Sequence, residues 1–348
     1  MPNCENRENC FFIGANTAGG FVSHIREIVC AMRKGYILKG GPGTGKSTFM
    51  RRLAEDMEAL GYPAERYYCS SDSLSLDGIV FRDLGVAVVD GTPPHVWEAS
   101  CPGAVEELID LGAYWNSRML AERVSEIRAH NEEKASLFSG VYKYLSVGKV
   151  LHSERQAILL RCSDADKADR AAERLIRRLG GGAGFSLMNR QITSIGMQGR
   201  TVLPTYERAA TEHWVISDHR GLAGMMFENL LRYAEKSGLA VWISRDPMQE
   251  IEALFFPEKG VSVTLNAETA DRVINTERFL CREALALERA RLRFLTRLEK
   301  ELFLRVEEAF SEIKRCHFAL EGLYYPAMDF DRVAKRRTEL LHTILALR

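Results

Sequence analysis

The segment "GGPGTGKST" holds residues whose types and spacing suit phosphate binding. It matches the P-loop (Walker A) pattern G-x-x-x-x-G-K-[S/T], with Gly40, Gly45, Lys46 and Ser47 at the fixed positions. Glycines let the backbone wrap closely around phosphate oxygens, and the N–H groups at a helix N-terminus favour an anion. We expect Lys46 to reach the β- and γ-phosphates and the Ser47 hydroxyl to bind Mg²⁺. The predicted nucleotide-binding residues are Gly40, Gly41, Pro42, Gly43, Thr44, Gly45, Lys46, Ser47 and Thr48.

A carboxylate that shares the metal should end a later buried strand. The run "GVAVVD" supplies Asp90, which we expect to bind Mg²⁺ together with Ser47. The alternative is an ordinary turn aspartate before a glycine.

Other polar residues are candidates for positioning water or a second substrate. We expect Asp72 and Asp77 on loops at strand edges, and His95 on the loop after "GTPP". Each could instead be a turn or helix-cap residue. Arg82 is a candidate for stabilising transition-state charge. The catalytic candidates are Lys46, Asp90, Asp72, Asp77 and His95.

Secondary-structure signals place the loop between two elements. "GYILKG" before it is typical of a buried strand, and "STFMRRLAEDMEALG" after it has helical apolar spacing that ends at Gly61. No N-K-x-D motif for guanine is present, so ATP is favoured over GTP. We therefore predict an ATPase that is slow or partner-stimulated. The alternatives are a small-molecule or nucleotide kinase and a non-hydrolysing ATP-dependent switch or scaffold.

The second half of the chain repeats the outline of the first. "GYILKGGPG" is answered by "HWVISDHRG", "YYCSSD" by "VWISRD", and "VFRDLGVAVVD" by "FFPEKGVSVTL". Lys46 and Ser47 align with Gly224 and Met225, to within one residue, and Asp90 aligns with Leu265. We predict a nucleotide-binding module in residues 1–185 and a degenerate module in residues 186–348. The second module would be structural or regulatory.

Long helices are predicted to follow each module. They span about 117–151 and 269–321, the second roughly 75 Å long if continuous, and shorter helices follow at 165–179 and 331–347. A constant offset aligns His152 with His317 and Asp164 with Asp329. The predicted fold is α/β: a P-loop NTPase-type parallel sheet with helices, duplicated in tandem, each copy followed by a helical hairpin. We expect the hairpins to pack on each other, with partner binding by the long helices as the alternative.

Composition gives no sign of a membrane or nucleic-acid partner. Lys+Arg and Asp+Glu both number 47, so the formal net charge is zero, although a local basic patch stays compatible with this balance. No apolar run approaches the ~20 residues of a membrane span, and "MPNCENRENCFF" lacks a secretory pattern. The eight cysteines show no metal-ligand spacing. We expect a cytoplasmic protein with reduced thiols.

The chain resembles an uncharacterised family of bacterial P-loop ATPase-like proteins, chiefly from Clostridia and their relatives. The resemblance rests on "FFIGANTAGGF", "ILKGGPGTGKST", "CSSDSLSLDGIV" and "VVDGTPPHVWEASCPGAVEELIDLG". It implies a tandem P-loop fold and nucleotide binding. Members of that family can carry a P-loop in both copies, whereas here the second copy departs from the pattern, which argues against two equivalent nucleotide sites.

Overall fold

The computed structural model describes residues 9–94, 96–265, 267 and 269–347. In these ranges the chain folds into two similar α/β modules, each built around a six-stranded sheet. The elements of the first module are β1 (Cys10–Phe12), β2 (Gly14–Thr17), β3 (Gly20–Ser23), α1 (Ile25–Cys30), β4 (Lys34–Lys39), α2 (Lys46–Ala59), β5 (Glu65–Tyr68), β6 (Leu76–Phe81), β7 (Val86–Asp90) and β8 (Glu106–Asp110).

The first sheet is mixed, which corrects the prediction of a parallel sheet. Its strand order is β1-β5-β6-β7-β4-β8, and β6 runs antiparallel to both β5 and β7, while the remaining pairs are parallel. The connections on either side of β6 are residues 69–75 and 82–85. Both are shorter than the dozen or more residues that a parallel crossover needs. The strand must therefore return as a hairpin.

The second sheet repeats the arrangement of the first. Its order, β9-β13-β14-β15-β12-β16, has β14 antiparallel to both neighbours, as β6 is in the first sheet. The elements after β8 are α3 (Ser117–Glu122), α4 (Val124–Arg161), α5 (Ala165–Leu179), β9 (Ser186–Asn189), β10 (Thr193–Gly196), β11 (Gly199–Val202), α6 (Thr205–Ala209), β12 (Glu212–Ser217), α7 (Ala223–Lys236), β13 (Ala240–Arg245), β14 (Ile251–Phe256), β15 (Val261–Leu265), β16 (Arg272–Asn275), α8 (Arg282–Tyr324) and α9 (Phe330–Leu345).

The predicted helix over 269–321 begins later than expected. Strand β16 occupies part of that range and pairs in parallel with β12, so that Ile274 is buried in the sheet. Helix α8 then spans 43 residues, which corresponds to about 65 Å. Helix α4 continues past the predicted end at residue 151 and reaches Arg161.

The two long helices pack against each other in opposite directions. Near the start of α4, Lys134 faces His317 of α8, and near its end Arg155 pairs with Glu299. Val141 and Leu145 of α4 lie in one buried cluster with Val306, Phe310 and Ile313 of α8. The long helices of the two halves thus pack on each other, as predicted. The prediction of a hairpin within each copy is wrong, because α4 pairs with α8 while α5 and α9 pack on the sheets. Glu299, which interrupts the apolar stripe of α8, is paired with a cation from α4.

Neither short helix packs on the module to which the predicted boundary at 185/186 assigns it. Helix α5 contributes Ala168, Ala172 and Ile176 to the core of the second sheet, and α9 contributes Val333, Leu340 and Ile344 to the core of the first. The packing therefore does not follow the predicted boundary at 185/186. The cause is the length of α4 and α8, because each carries the chain from one module to the other before the next helix starts.

Within the described ranges, no helix is both long enough and apolar enough to cross a lipid bilayer.

Candidate functional site

The glycine-rich loop, residues 40–48, joins the end of β4 to the start of α2. Gly43 and Gly45 have φ angles of 69° and 85°, in the left-handed region that disfavours residues with a Cβ. The buried Thr44 hydroxyl donates to the Gly41 carbonyl at 2.8 Å. Lys46, the first residue of α2, donates from Nζ to the Gly40 and Gly41 carbonyls at 2.9 Å each. The lysine is therefore folded back over the loop.

Asp90 lies beside Lys46 at the carboxyl end of β7. Strand β7 pairs in parallel with β4, so both strands deliver their last residues to the same edge of the sheet. Asp90 Oδ2 is 3.6 Å from Lys46 Nζ, and Oδ1 accepts from the Thr92 N–H at 2.8 Å and the Thr92 hydroxyl at 2.6 Å. Burial raises the pKa of Asp90, although the nearby Lys46 ammonium acts in the opposite direction.

Ser47 and Asp77 lie next to this pair. Ser47 Oγ accepts a hydrogen bond from the Leu76 N–H at 2.9 Å, which ties the start of α2 to the start of β6. Asp77 is the second residue of β6 and is buried, which corrects the expectation that it lies on a loop. Its carboxylate is close enough to contribute to the raised pKa of Asp90. Ser47, Asp77 and Asp90 thus all line the cavity beside the glycine-rich loop.

Asp72 stabilises a turn and also lines the cavity beside the glycine-rich loop. Its carboxylate accepts from the Ser75 hydroxyl at 2.6 Å and from the Leu74 N–H at 3.3 Å. It also accepts at 2.7 Å from Gln198, which lies between β10 and β11 of the second module. Asp72 therefore caps a turn and links the modules. His95 lies outside the described residues.

Arg82 does not face the site. Its Nε is 2.5 Å from Glu65 Oε1, and the same carboxylate binds Arg190 of the second module. Arg82 is also absent from the residues that line the cavity beside the glycine-rich loop. The structure therefore gives it a role in joining the modules rather than in the candidate site.

A cavity of about 1190 Å³ opens above the glycine-rich loop. Its floor is the loop with Asp72, Asp77 and Asp90, and its walls come from α4, α8 and α9. Sequence reasoning missed the wall residues, among them Lys134, His317, Glu321, Phe330 and Arg337. They follow no local motif. In the sequence, these residues are marked only by the constant offset at which the long helices of the two halves align.

The corner between α8 and α9 rests on the glycine-rich loop. A Cβ added at Gly41 or Gly43 would lie 3.0 Å from the Tyr324 ring or the Glu321 carbonyl oxygen, respectively. At Gly45 it would lie 3.2 Å from the Phe330 ring. The loop glycines therefore allow this close packing as well as the loop's backbone conformation.

The residues around Ser47 fit Mg²⁺. A hydroxyl and carboxylates are the hard oxygen ligands that this ion prefers. The Asp77 and Asp90 carboxylates are buried close to each other, with Lys46 as the nearest cation to Asp90. A divalent ion at this point would offset the repulsion between two ionised carboxylates.

The corresponding loop of the second module is filled by its own side chain. Asp218 follows β12 as Gly40 follows β4. Its carboxylate accepts from the N–H groups of Arg220, Gly221 and Ala223, at 3.2, 2.9 and 2.6 Å, and from the Thr276 hydroxyl at 3.0 Å. An internal anion thus satisfies the loop amides that an external phosphate would otherwise contact.

Helix α4 also closes the second loop. Arg155 donates from Nη1 to the Arg220 carbonyl at 2.6 Å and packs directly against Gly221. Helix α7 begins at Ala223, so Ala223 and Gly224 stand where α2 has Lys46 and Ser47, within the one-residue margin of the sequence alignment. Leu265 ends β15 as Asp90 ends β7. This loop has neither the lysine nor the metal ligands.

No disulfide bond joins the cysteines of the described residues. One mixed group, His130, Glu133 and Cys316, has ligand atoms within 4.8 Å of one another between α4 and α8. Glu133 is exposed and already paired with the guanidinium of Arg315. This contact gives the carboxylate a structural partner without a metal.

No protein-family model, curated protein or solved structure matches this chain.

Proposed function

We propose that the first module binds ATP with Mg²⁺ and hydrolyses it slowly or when stimulated by a partner. The observation that carries this proposal is the convergence of Lys46, Ser47 and Asp90 at one sheet edge. They meet beside a loop whose two glycines adopt left-handed backbone conformations, as close wrapping around phosphate requires. ATP is preferred over GTP because the sequence lacks a guanine-recognition motif.

Each residue of the site has a proposed role that follows from its side-chain chemistry. The loop N–H groups and Lys46 would bind the phosphate chain, with Lys46 exchanging the Gly40 and Gly41 carbonyls for phosphate oxygens. Ser47 and Asp90 would hold Mg²⁺, which supplies positive charge to the phosphates when bound. Asp77 is the described carboxylate best placed to orient a water molecule, because it is buried beside Ser47.

The second module is proposed to be a degenerate copy that arose by tandem duplication. The two sheets share their strand order. Helices α5 and α9 are each capped at the N-terminus by an aspartate, Asp164 and Asp329, whose side chain accepts a hydrogen bond from the backbone N–H of the residue three positions later. Asp218 occupies the phosphate position in the second loop, so this module would serve a structural or regulatory role.

A second candidate is a non-hydrolysing switch. Tyr324, Glu321 and Phe330 pack directly on the glycine-rich loop, and α8 runs from there to the second module. Phosphate binding in the loop would therefore act on the corner between α8 and α9. Tight binding with negligible turnover would favour this function.

Calorimetric titration with Mg·ATP and Mg·GTP, together with a turnover assay, tests both candidates. The wild-type protein should bind one ATP per chain, and Lys46→Ala and Asp90→Ala should abolish turnover. Asp83→Ala, which removes an exposed carboxylate, is the matched control and should behave as the wild type. Binding of ATP without turnover would support the non-hydrolysing switch. If ADP then formed only when acceptor molecules were added, the result would support a kinase. An absence of binding would exclude the proposal.

A further inference from the structure

Lys134 is a half-buried cation in the wall of the cavity above the glycine-rich loop. It lies on α4, and its Nζ is 3.2 Å from His317 Nδ1 on α8. His317 Nε2 is in turn 3.5 Å from Glu321 Oε1. Among the described residues, no carboxylate forms an ion pair with Lys134. The ammonium group therefore has an imidazole nitrogen as its partner and an open cavity in front of it.

The electrostatic surroundings of Lys134 favour an incoming anion. Burial lowers the pKa of Lys134, whereas Cys69, Glu321 and Cys316 act in the opposite direction. The Lys46 ammonium, which lines the same cavity, lowers the pKa as well. Two ammonium groups that face the same space repel each other, and a polyphosphate between them would relieve the repulsion of both. Arg337 also lines the cavity, but it already forms an ion pair with Asp56, whereas Lys134 has no such carboxylate partner among the described residues.

In the second module, the position equivalent to Lys134 is occupied by a residue that takes part in an internal ion pair. The constant offset between the long helices places Glu299 where the first cavity has Lys134, and His152 where it has His317. Glu299 accepts from Arg155 at 2.9 and 3.0 Å, and Arg155 Nη2 is 3.2 Å from His152 Nδ1. The cation beside that histidine is thus neutralised internally, as the loop amides are by Asp218. Among the described residues of the first module, no carboxylate binds the loop amides, and Glu321 reaches Lys134 only through His317.

We infer that Lys134 contacts the terminal phosphate of the bound nucleotide and makes the site select a triphosphate over a diphosphate. This inference rests on the proposed function. A hydrogen bond from an ammonium group to a phosphate oxygen is charge-assisted, and its loss should weaken binding of the triphosphate alone by about tenfold to a hundredfold. Contacts to the first two phosphates, which the glycine-rich loop would supply, should remain.

The test compares the affinities of Mg·ADP and of a non-hydrolysable Mg·ATP analogue by calorimetry. The variant is Lys134→Met, with Lys134→Arg as the conservative change and Lys143→Met, on the exposed face of α4, as the matched control. Lys134→Met should lose about tenfold to a hundredfold in affinity for the analogue and less than about threefold for ADP. Lys134→Arg should keep most of the preference for the triphosphate. The thermal midpoint of Lys134→Met should not fall, because the change removes a half-buried charge without an ion-pair partner.

The other outcomes separate the inference from the proposed function. Unchanged binding of both nucleotides by Lys134→Met would overturn the role of Lys134 and leave nucleotide binding intact. Equal losses for both nucleotides would overturn the contact with the terminal phosphate. If the wild type binds neither nucleotide, the proposed function fails, and the inference fails with it.

Discussion

Gly40 and Asp218 occupy equivalent positions in the two modules, and the difference between them decides which loop has room for an anion. Asp218 places a carboxylate against the amides of its own loop. Gly40 has no side chain, and its loop amides border an open cavity. The sequence alignment showed that other residues stand in the second module where the first has Lys46, Ser47 and Asp90. It did not reveal that Asp218 binds the amides of its own loop, because that depends on where a side chain points.

A second residue-scale feature is the raised pKa of Asp246, which follows β13. Burial raises this pKa from its ordinary value of 3.8 to about 7, and the neighbouring Glu252 acts in the same direction. The folded state therefore keeps its proton at pH values where the unfolded state has lost it. This contribution to stability is fully present below about pH 4 and is lost as the pH rises to about 7.

The pH dependence of stability should identify Asp246. Asp246→Asn stays uncharged and can still accept from the Glu250 N–H, which lies 2.9 Å from Asp246 Oδ1. We expect the wild type to lose unfolding free energy relative to this variant between pH 4 and pH 7, by at most about 1.4 kcal/mol per pH unit. Urea unfolding at several pH values measures the difference. Asp83→Asn, at an exposed site, should show no such pH-dependent difference from the wild type. If the unfolding free energies of the wild type and of Asp246→Asn changed with pH in parallel, the raised pKa would not belong to Asp246.

At the scale of elements, the long helices are joined by one ion pair shielded from solvent and by exposed ones. The side chains of Arg155 and Glu299 are 12% and 13% exposed, whereas those of Arg291 and Glu154 are 56% and 43% exposed. Removing one partner of a buried pair leaves an uncompensated charge, which costs about 3–5 kcal/mol. An exposed pair contributes at most about 1 kcal/mol.

Chemical denaturation should separate the two kinds of pair. We expect Arg155→Leu to lose about 3 kcal/mol or more in unfolding free energy, and the double variant Arg155→Leu/Glu299→Leu to regain part of that loss. Arg291→Leu should lose less than about 1 kcal/mol. Equal effects of Arg155→Leu and Arg291→Leu would show that the Arg155–Glu299 pair is solvated. In that case Arg155 would not close the second loop as the structure indicates.

Local signals predicted the elements of the site better than their assembly. The loop, its flanking strand and helix, and the strand that ends at Asp90 are short-range patterns of apolar spacing, glycine and capping residues. The antiparallel course of β6 depends on the length of its connections, and Asp77 lies in this strand rather than on the expected loop. Lys134 and His317 meet across 183 residues of sequence, where no local pattern operates.

For the whole molecule, the exchange of α5 and α9 makes each module depend on the other half of the chain. Leu340 of α9 is buried in the core of the first module, and Ile176 of α5 is buried in the core of the second. The same exchange brings α8 and α9 to the candidate nucleotide site. A ligand in the first module would therefore contact helices that the sequence places after the second, which gives the two modules a direct mechanical connection.

The exchange predicts that core substitutions in α5 and α9 act across the predicted boundary at 185/186. Leu340→Ala and Ile176→Ala each remove a buried side chain and should cost about 2–5 kcal/mol. In native-state hydrogen exchange, we expect Leu340→Ala to reduce protection first in α2 and β4, and Ile176→Ala first in α7 and β12. Leu287→Ala, at a position 88% exposed, is the control and should change neither. If Leu340→Ala instead reduced protection first in α7 and β12, and Ile176→Ala first in α2 and β4, then α5 and α9 would not be exchanged in solution, and α9 would not line the cavity above the glycine-rich loop.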